Sequence, residues 1–244
     1  LYTMGRVAQV ATLAADLTRD ADVARAVEGA EVVVNTVGIL HGDFTKVQAE
    51  GPARLGRIAA AAGVGRQVHI SAIGADAASP SAYARSKAEG DGFFGRFAPM
   101  AAWLPVMPVV SGATRFQPVF VGDVADAVLA ALHDPAAEGR TYELGGPRAW
   151  SFRELLAYIL KETQRDRRLV AVPAGIAALQ ARIGELLPNP PLTRDQLLLL
   201  QRDNVADPAM PGLAALGIAP KAVEAIMPPI LARFRVGGGR RVRG

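Results

Sequence analysis

Three side chains in the first half of the chain have types and a spacing that suit acid–base chemistry. Tyr83 and Lys87 stand four residues apart, so a helix would present both on one face. The hydroxyl of a tyrosine has a reference pKa near ~10, and a neighbouring ammonium group lowers that pKa by stabilising the phenolate. Ser71 follows a short apolar run and could orient a carbonyl or an alcohol. Together the three could transfer a proton while a nicotinamide cofactor transfers a hydride.

The tyrosine–lysine spacing is common by itself, and the alternative is that both side chains are simply solvated on a helix face. Here the tyrosine–lysine pair follows an apolar run, a serine and a loop of small residues. In that order the spacing is a more specific sign of an acid–base site. Asp16 is a further candidate, for the amine of an adenine ring, and residues 35–38 are candidates for the cofactor-facing end of a strand. Each could equally be an ordinary turn at a strand end. Asp123 is more typical of a residue that caps a helix than of one that touches a ligand.

Short apolar runs alternate with helical patterns through the first 150 residues, and this alternation predicts the fold class. The unbroken β-branched run at 31–38 is typical of a strand buried on both faces, as in a parallel sheet. The expected class is therefore α/β, with a Rossmann-like doubly wound parallel sheet. We predict strands at 7–10, 31–38, 67–71, 116–121 and 141–144, and helices at 20–29, 43–62, from 81 onward and at 124–132.

The pattern becomes helical after residue 150, where frequent prolines separate the helices. Capping-box spacing, which marks helix starts, occurs at 151–154 and at 193–196. We predict a smaller helical C-terminal lobe that follows the nucleotide-binding domain. The expected boundaries are 1–150 for an NAD(P)-binding Rossmann-like domain, with 91–115 contributing to the smaller lobe, then 151–236 for the helical lobe and 237–244 for a basic tail.

Composition excludes several classes of site. The chain has no cysteine, which excludes disulfides, thiolate zinc sites and a cysteine nucleophile. Its three histidines share no ligand-like spacing, so we expect no metal site. No run reaches the ~18 apolar residues that a membrane-spanning helix needs, so we expect no transmembrane helix. The predominance of arginine over lysine and the abundance of alanine suggest a GC-rich, bacterial genome.

The formal net charge of +4 comes from the end of the chain. Arg235, Arg240, Arg241 and Arg243 account for it, and the residues before them balance to zero. We therefore predict no nucleic-acid-binding face. Two interpretations of the tail stay open: it is solvated, or it is attracted to anionic lipid or to an acidic partner.

A nucleotide-binding doubly wound sheet normally begins with a strand, a glycine-rich turn and a helix that together receive the pyrophosphate. No GxGxxG pattern occurs near the start of this sequence. The helical pattern that carries Lys87 also runs into Asp91 without an intervening strand. We therefore expect the numbered chain to omit the first βα units before Leu1 and one block between Gly90 and Asp91.

A series of motifs resembles, in order along the chain, the short-chain dehydrogenase/reductase superfamily in its extended or atypical branch. The resemblance covers most of residues 7–160 and implies a Rossmann domain that binds NADPH or NADH. The motifs are Asp16 with Leu17, the segment 35–38, Ser71, Tyr83 with Lys87, and the segments 117–124 and 142–147.

Motifs of the C-terminal lobe indicate a resemblance to one family within this superfamily. The segments 114–118, 193–196 and 211–218, with Asp203 and Asn204, resemble the NAD(P)H-binding accessory subunit of respiratory complex I and its bacterial relatives. In that family the nucleotide is thought to have a structural role, and the protein lies on the peripheral arm near the membrane. The resemblance implies cofactor contacts from Asp16, Leu17, Asn35, Val37, Gly38, Ser71, Ala72, Tyr83 and Lys87.

Three functions are consistent with these patterns, and the one with no specific support is a redox-sensing regulator that binds NADPH without turnover. The leading hypothesis is an accessory subunit of a bacterial NADH:quinone oxidoreductase, with a structural or assembly role and a bound nucleotide. Its partners would be other peripheral-arm subunits and the membrane surface, at the cytoplasmic face of the inner membrane. The alternative is a free-standing NAD(P)-dependent oxidoreductase or epimerase, in which Tyr83 is the acid/base and Lys87 and Ser71 assist.

Overall fold

The structure is a computed structural model that describes residues 10–38, 45–73, 92–173, 175–179, 197–198 and 200–236. The chain divides into two compact units, Leu1–Ser71 and Ala72–Gly244. Tyr83, Lys87, the capping pattern at 193–196 and the basic tail lie outside the described residues, as does most of the strand predicted at 7–10. The domain boundaries expected from the sequence stay a prediction.

The first unit contains a parallel pair of strands joined by a helix. Its elements are α1 (Asp20–Val27), β1 (Val32–Asn35), a π-helical segment (Thr45–Glu50), α2 (Gly51–Ala61) and β2 (Arg66–His69). In the β1–β2 pair, Val32 stands opposite Arg66 and Asn35 opposite His69. Both helices end before glycines with left-handed backbone, at φ 69° for Gly29 and 78° for Gly63. Within the helix predicted at 43–62, Thr45–Glu50 is π-helical and Gly51–Ala61 is α-helical.

A small apolar cluster holds this unit together. The i, i+4 spacing of Val23 and Val27 puts both on one face of α1, where they pack against α2. The cluster consists of Val23, Val27, Ile58 and Ala59, with Leu17, Val33, Leu55 and Val64 packed around it. The carboxylate of Asp20 joins the same two helices from outside, through ion pairs at 2.6 Å to Arg54 and 2.9 Å to Arg57.

The expectation that β1 is buried on both faces is wrong for this structure. Val32 and Val34 are 44% and 41% exposed, whereas Val33 packs against the cluster. Alternate residues of a strand point to opposite faces, so the α1–α2 pair covers only one of them. Among the described residues β1 also has a single neighbouring strand, β2.

The second unit combines two short sheets with several helices. In one sheet Val106–Val109 pairs in parallel with Arg168–Ala171, and in the other Arg115–Phe116 pairs antiparallel with Trp150–Ser151, so that Phe116 stands opposite Trp150. Its elements are α3 (Gly92–Trp103), β3 (Val106–Val109), β4 (Arg115–Phe116), α4 (Val121–His133), a 3₁₀ turn (Pro135–Ala137), β5 (Trp150–Ser151), α5 (Phe152–Glu162), β6 (Arg168–Ala171), a 3₁₀ turn (Leu213–Leu216), α6 (Val223–Leu231) and a 3₁₀ turn (Ala232–Phe234).

Helix α5 is the centre of the second unit's core. Leu155, Leu156 and Ile159 have no exposed surface, and Met107 from β3 and Leu231 from α6 are buried in the same cluster. The helix begins with the capping box predicted from the sequence. The N–H of Glu154 donates to Ser151 Oγ at 3.2 Å, and the N–H of Ser151 donates to Glu154 Oε2 at 2.6 Å.

Two predicted strands are absent from the second unit as described. At 116–121, β4 ends at Phe116 and α4 already begins at Val121. Residues 141–144 are not a strand, and the N–H of Glu143 donates instead to the carbonyl of Pro211 at 2.9 Å. Pro118 has no N–H to donate to a neighbouring strand, so an extended stretch around it does not continue a ladder.

Asp123 does not cap α4 as the sequence suggested, because the N-cap of that helix is Phe120. Its side chain is fully buried and accepts two hydrogen bonds from Lys221, one from Nζ to Oδ1 and one from the backbone N–H to Oδ2, both at 2.7 Å. Burial raises the pKa of the Asp123 carboxyl, but these hydrogen bonds outweigh it and hold the pKa below its ordinary value. The pair joins α4 to the segment that leads into α6.

The substitution Ser151→Ala tests the capping box. It removes the side-chain acceptor at the start of α5, so the free energy of unfolding should fall by about 1 kcal/mol. Urea unfolding followed by circular dichroism measures this difference. Thr141→Ala, at an exposed position outside helices and strands, is the control and should change the free energy little. Equal losses in the two variants would contradict the role of the cap.

The substitution Asp123→Asn should lower the free energy of unfolding by on the order of 2 kcal/mol at pH 7, because it removes a buried charged acceptor of two hydrogen bonds. A depressed pKa contributes stability above the unfolded-state value, near ~3.9, and this stability is lost as the pH falls through the folded-state pKa. The difference between the wild type and Asp123→Asn should therefore be constant from pH 7 to 5 and shrink below about pH 4.

Urea titrations at each pH measure this dependence. Asp166→Asn removes an exposed carboxylate from the same unit and is the control. A difference between the wild type and Asp123→Asn that persists unchanged at low pH would show that the Asp123 carboxylate is not stabilised by Lys221.

Candidate functional site

The carboxyl ends of β1 and β2 lie side by side. The two strands are parallel and in register, with Asn35 opposite His69, and the N–H of Ile70 donates to the carbonyl of Asn35 at 3.0 Å. Val37 and Ser71 each follow the last paired residue of their strand by two positions, and both are exposed. In parallel α/β sheets, ligands bind outside this edge.

Asn35 is the polar side chain buried at this edge, with 5% of its surface exposed. Its Oδ1 accepts a hydrogen bond from the N–H of Val37 at 3.0 Å, which fixes the turn that leaves the strand. Its Nδ2 is buried and has no hydrogen-bond partner among the described residues. A buried amide donor without a partner costs roughly 1–3 kcal/mol, so the site fits a ligand that brings an acceptor.

Asp16 and Leu17 lie at the entry to α1. The Asp16 carboxylate accepts hydrogen bonds at 2.8 Å from the N–H of Thr18 and at 2.7 Å from its hydroxyl. These bonds, with the nearby cation of Arg19, hold the pKa of Asp16 below its ordinary value, so the group is ionised at neutral pH. Leu17 packs against the apolar cluster of the first unit and is already part of its core.

Gly51 lets Leu17 take that position. A Cβ at residue 51 would lie 2.8 Å from Leu17 Cδ2, closer than van der Waals contact permits. The carbonyl of Leu17 also accepts a hydrogen bond from Arg54 Nη1 at 3.4 Å. The start of α2 therefore fixes the backbone that carries Asp16.

The structure thus places the predicted site residues in two groups. Asn35, Val37, Gly38 and Ser71 share the carboxyl edge of the β1–β2 pair, and Ala72 follows Ser71. Asp16 and Leu17 stand before α1, next to α2. The predicted acid–base pair lies outside the described residues, so its geometry stays a prediction.

One hydrogen-bond network in the second unit joins several segments that carry the resemblance, namely 114–118, 142–147 and Asp203 with Asn204; the segment 193–196 lies outside the described residues. Gln117 is its centre: Nε2 donates to the carbonyl of Gly146 at 2.7 Å, and Oε1 accepts from the N–H of Ala206 at 3.0 Å. The backbone N–H of Gln117 donates to the carbonyl of Asn204 at 3.0 Å. A Cβ at Gly146 would lie 2.0 Å from the carbonyl oxygen of Pro118, so no other residue fits there.

Two carboxylates extend this network. Asp203 Oδ1 accepts from the N–H of Arg115 at 2.8 Å, and Glu143 Oε2 accepts from the N–H of Asp207 at 2.6 Å. The sequence singled out the segments containing Arg115, Glu143 and Asp203 as motifs but gave no sign of the contacts that they make. They position backbone segments, and no ligand is needed to explain their pattern.

Tyr158 lines an open depression of about 450 Å³ on the surface of the second unit. Burial, with the carboxylates of Glu162 and Glu224 nearby, raises the pKa of Tyr158 to about 12. The phenol is therefore protonated at neutral pH. Sequence reasoning missed this residue, and no spacing pattern marks it. The lining is formed by Arg148, Trp150, Glu154, Ala157, Tyr158, Lys161, Glu162 and Glu224.

Neither a metal-holding cluster nor a membrane-spanning helix occurs in the described ranges. Within them, no three histidine or carboxylate side chains come together in a way that could hold a metal ion. None of the helices in this part of the chain is both long and apolar enough to cross a membrane.

No family model matches the chain. It is 28% identical to the NADH dehydrogenase (ubiquinone) 1 alpha subcomplex subunit 9, mitochondrial, of Mus musculus over 265 positions, which cover 96% of this chain and 70% of that protein. The protein of the same name from Arabidopsis thaliana is 28% identical, with coverages of 98% and 69%. The NADH-ubiquinone oxidoreductase 40 kDa subunit, mitochondrial, of Neurospora crassa is 26% identical, with coverages of 90% and 65%.

Solved structures with low sequence identity share the fold. The NADPH-dependent quinone oxidoreductase of Escherichia coli, in complex with NADPH, superimposes with a TM-score of 0.65 at 18% identity and covers 90% of this chain and 81% of that chain. The triphenylmethane reductase of Citrobacter sp., in complex with NADP(H), gives 0.65 at 15% identity, with coverages of 86% and 80%.

The two comparisons agree. The structural neighbours confirm the α/β, Rossmann-like class that the alternation of strands and helices predicted. The curated relatives confirm the narrower resemblance that rested on the C-terminal segments. The sequence is thus similar, along most of its length, to the subunit 9 proteins of mitochondrial NADH dehydrogenase, and the fold is shared with NADPH-dependent reductases of low sequence identity.

Proposed function

We propose that the chain is an accessory subunit of a bacterial respiratory NADH:quinone oxidoreductase and that it holds a nicotinamide nucleotide in a structural or assembly role. The similarity to mitochondrial NADH dehydrogenase subunits over 96% of the chain carries this proposal. The matched region extends through both units.

The nucleotide would bind at the carboxyl edge of the β1–β2 pair. Asn35 Nδ2 supplies a buried donor without a partner among the described residues, and Ser71 supplies a hydroxyl beside it. The ionised Asp16 would accept a hydrogen bond from the adenine amine. Neighbours of this fold were solved with NADPH and NADP(H), so NADPH is the first candidate and NADH the second. The contacts would come from Asp16, Leu17, Asn35, Val37, Gly38, Ser71 and Ala72, with Tyr83 and Lys87.

The nucleotide, when bound, brings hydride chemistry, but the accessory role does not use it. Asn35 would orient the bound nucleotide through its amide. The Asn35 Oδ1 bond to Val37 fixes the same side chain from the other end, so the donor is already positioned. Such a nucleotide would stabilise the first unit by linking its strand edge to the α1 entry.

The proposed partners are other subunits of the peripheral arm. The relatives are named as subunits of the mitochondrial enzyme, and by analogy this chain would join the bacterial complex at the cytoplasmic face of the inner membrane. It would be a peripheral subunit there, in contact with the membrane surface.

A free-standing NAD(P)-dependent oxidoreductase or epimerase is the second candidate. The spacing of Tyr83 and Lys87, together with Ser71 at the strand edge, favours it. In that case the Tyr83 hydroxyl would transfer a proton to or from the substrate oxygen, Lys87 would stabilise the phenolate and Ser71 would orient the substrate.

The substitution Asn35→Asp tests the nucleotide site. It keeps the acceptor for the Val37 N–H but removes the Nδ2 donor, so NADPH should bind at least about tenfold more weakly. Isothermal titration calorimetry with NADPH and with NADH measures the affinity. Gln67→Glu makes the same change from amide to carboxylate at an exposed position of β2 and should bind as the wild type does. Equal NADPH affinities for Asn35→Asp and the wild type would remove Asn35 from the site.

The substitution Tyr83→Phe separates the two functions, because only an enzyme needs the hydroxyl. In an accessory subunit, the variant should still bind NADPH and co-purify with the respiratory complex from native membranes. Native mass spectrometry of the tagged protein measures both the nucleotide and the companion subunits. Absence of the wild-type chain from the purified complex, with turnover lost by orders of magnitude in the variant, would favour the enzyme.

A further inference from the structure

A tryptophan at the end of α3 is almost fully exposed. Trp103 presents 87% of its surface to solvent, whereas the other tryptophan, Trp150, is 5% exposed. A large aromatic ring with a polar N–H is costly to leave in water and prefers a boundary between apolar and aqueous phases. Val236, at the other end of the unit's sequence, is 70% exposed.

Arg165 connects these two positions. Its guanidinium donates to the carbonyl of Phe234 at 2.9 and 3.1 Å and to the carbonyl of Ala102 at 3.5 Å. Arg235 in turn donates to the carbonyl of Glu162 at 2.8 Å and pairs with its carboxylate at 3.5 Å. The end of α3, the end of α5 and the turn after α6 are thus tied together by two cations, which fixes the backbone next to Trp103.

Further cations surround the same junction. Arg168 is exposed on β6 opposite Val106, three residues after Trp103, and Arg233 is exposed in the turn that contains Phe234. In sequence, the segments 161–171 and 232–244 contain nine basic residues against two acidic ones. We refer to Trp103, Arg165, Arg168, Arg233, Arg235 and Val236 as the Trp103 surface.

We propose that the Trp103 surface binds anionic phospholipid headgroups, with the Trp103 indole inserted at headgroup level. This inference rests on the proposed peripheral location at a membrane. Each exposed arginine, such as Arg168 or Arg233, is attracted to an anionic leaflet. Tryptophan is enriched at the membrane–water interface. The exposed apolar side chains here are those of Trp103 and Val236, with Val106 half-exposed beside Arg168, and such a small set falls short of the roughly 800 Å² per partner of a stable protein interface. A lipid surface needs no matching shape, so it fits this charge-dominated patch better than a folded partner does.

Vesicle co-sedimentation of the full chain tests the proposal. The chain should bind vesicles of phosphatidylglycerol mixed with phosphatidylcholine, and bind vesicles of phosphatidylcholine alone far more weakly. Added salt should release it, because screening weakens exposed charges. Tryptophan emission should shift to shorter wavelength on binding, and Trp103→Ala should abolish this shift, since Trp150 is already buried.

Charge reversal supplies the matched comparison. The double variant Arg168→Glu with Arg233→Glu should partition onto phosphatidylglycerol vesicles at least about tenfold more weakly. Arg140→Glu with Arg202→Glu reverses two exposed arginines outside the Trp103 surface, gives the same net charge and should partition nearly as the wild type does. Circular dichroism confirms that both variants are folded.

Three results would overturn the proposal: no binding to anionic vesicles, equal binding to neutral ones, or the same loss in both double variants. If anionic vesicles do not bind but Arg168→Glu with Arg233→Glu abolishes co-purification with the respiratory complex, the surface contacts an acidic protein instead. The vesicle assay contains neither nucleotide nor other subunits. A negative vesicle result therefore does not contradict the proposed accessory role. Conversely, a chain that fails to co-purify with the respiratory complex can still bind lipid.

Discussion

Two backbones approach each other at Gly146 and Pro118 so closely that no side chain could stand between them, and much of the second unit depends on this contact. A Cβ at Gly146 would lie 2.0 Å from the carbonyl oxygen of Pro118. This close approach brings the Gln117 side-chain amide within hydrogen-bonding distance of the carbonyl of Gly146 and of the N–H of Ala206. The segments around residues 117, 146 and 206 then act as one framework, although they are far apart in sequence.

The framework leads directly to the core. Phe116 pairs with Trp150 across β4–β5, and Ser151, the next residue, caps α5. Helix α5 carries the most deeply buried side chains of the unit, and its far end meets Arg165 and Arg235 at the Trp103 surface. A backbone contact that only glycine allows thus orients the helix whose far end borders the proposed lipid-binding residues.

The proposed nucleotide site depends on a different constraint, the parallel register of β1 and β2. Parallel pairing places both carboxyl ends at one edge, so Asn35 and Ser71 share that edge although 36 positions separate them in sequence. The Asn35 side chain satisfies the turn with its oxygen and leaves its nitrogen without a partner among the described residues. Such an arrangement has a cost in an empty site and none once an acceptor binds.

The sequence by itself determined the features that arise from neighbouring residues. The capping box at Ser151, the helix-ending glycines at 29 and 63, and the α/β alternation all follow from local steric and hydrogen-bonding preferences. It also predicted the resemblance to respiratory-chain subunits that the comparisons confirm. It failed at Asp123, at residues 116–121 and at 141–144, where the partner of each backbone or carboxylate group comes from beyond residue 200. Only the tertiary structure decided those contacts, the burial of Tyr158 and the exposure of Trp103. Burial and long-range pairing are properties of what packs against a residue, which its sequence neighbours do not specify.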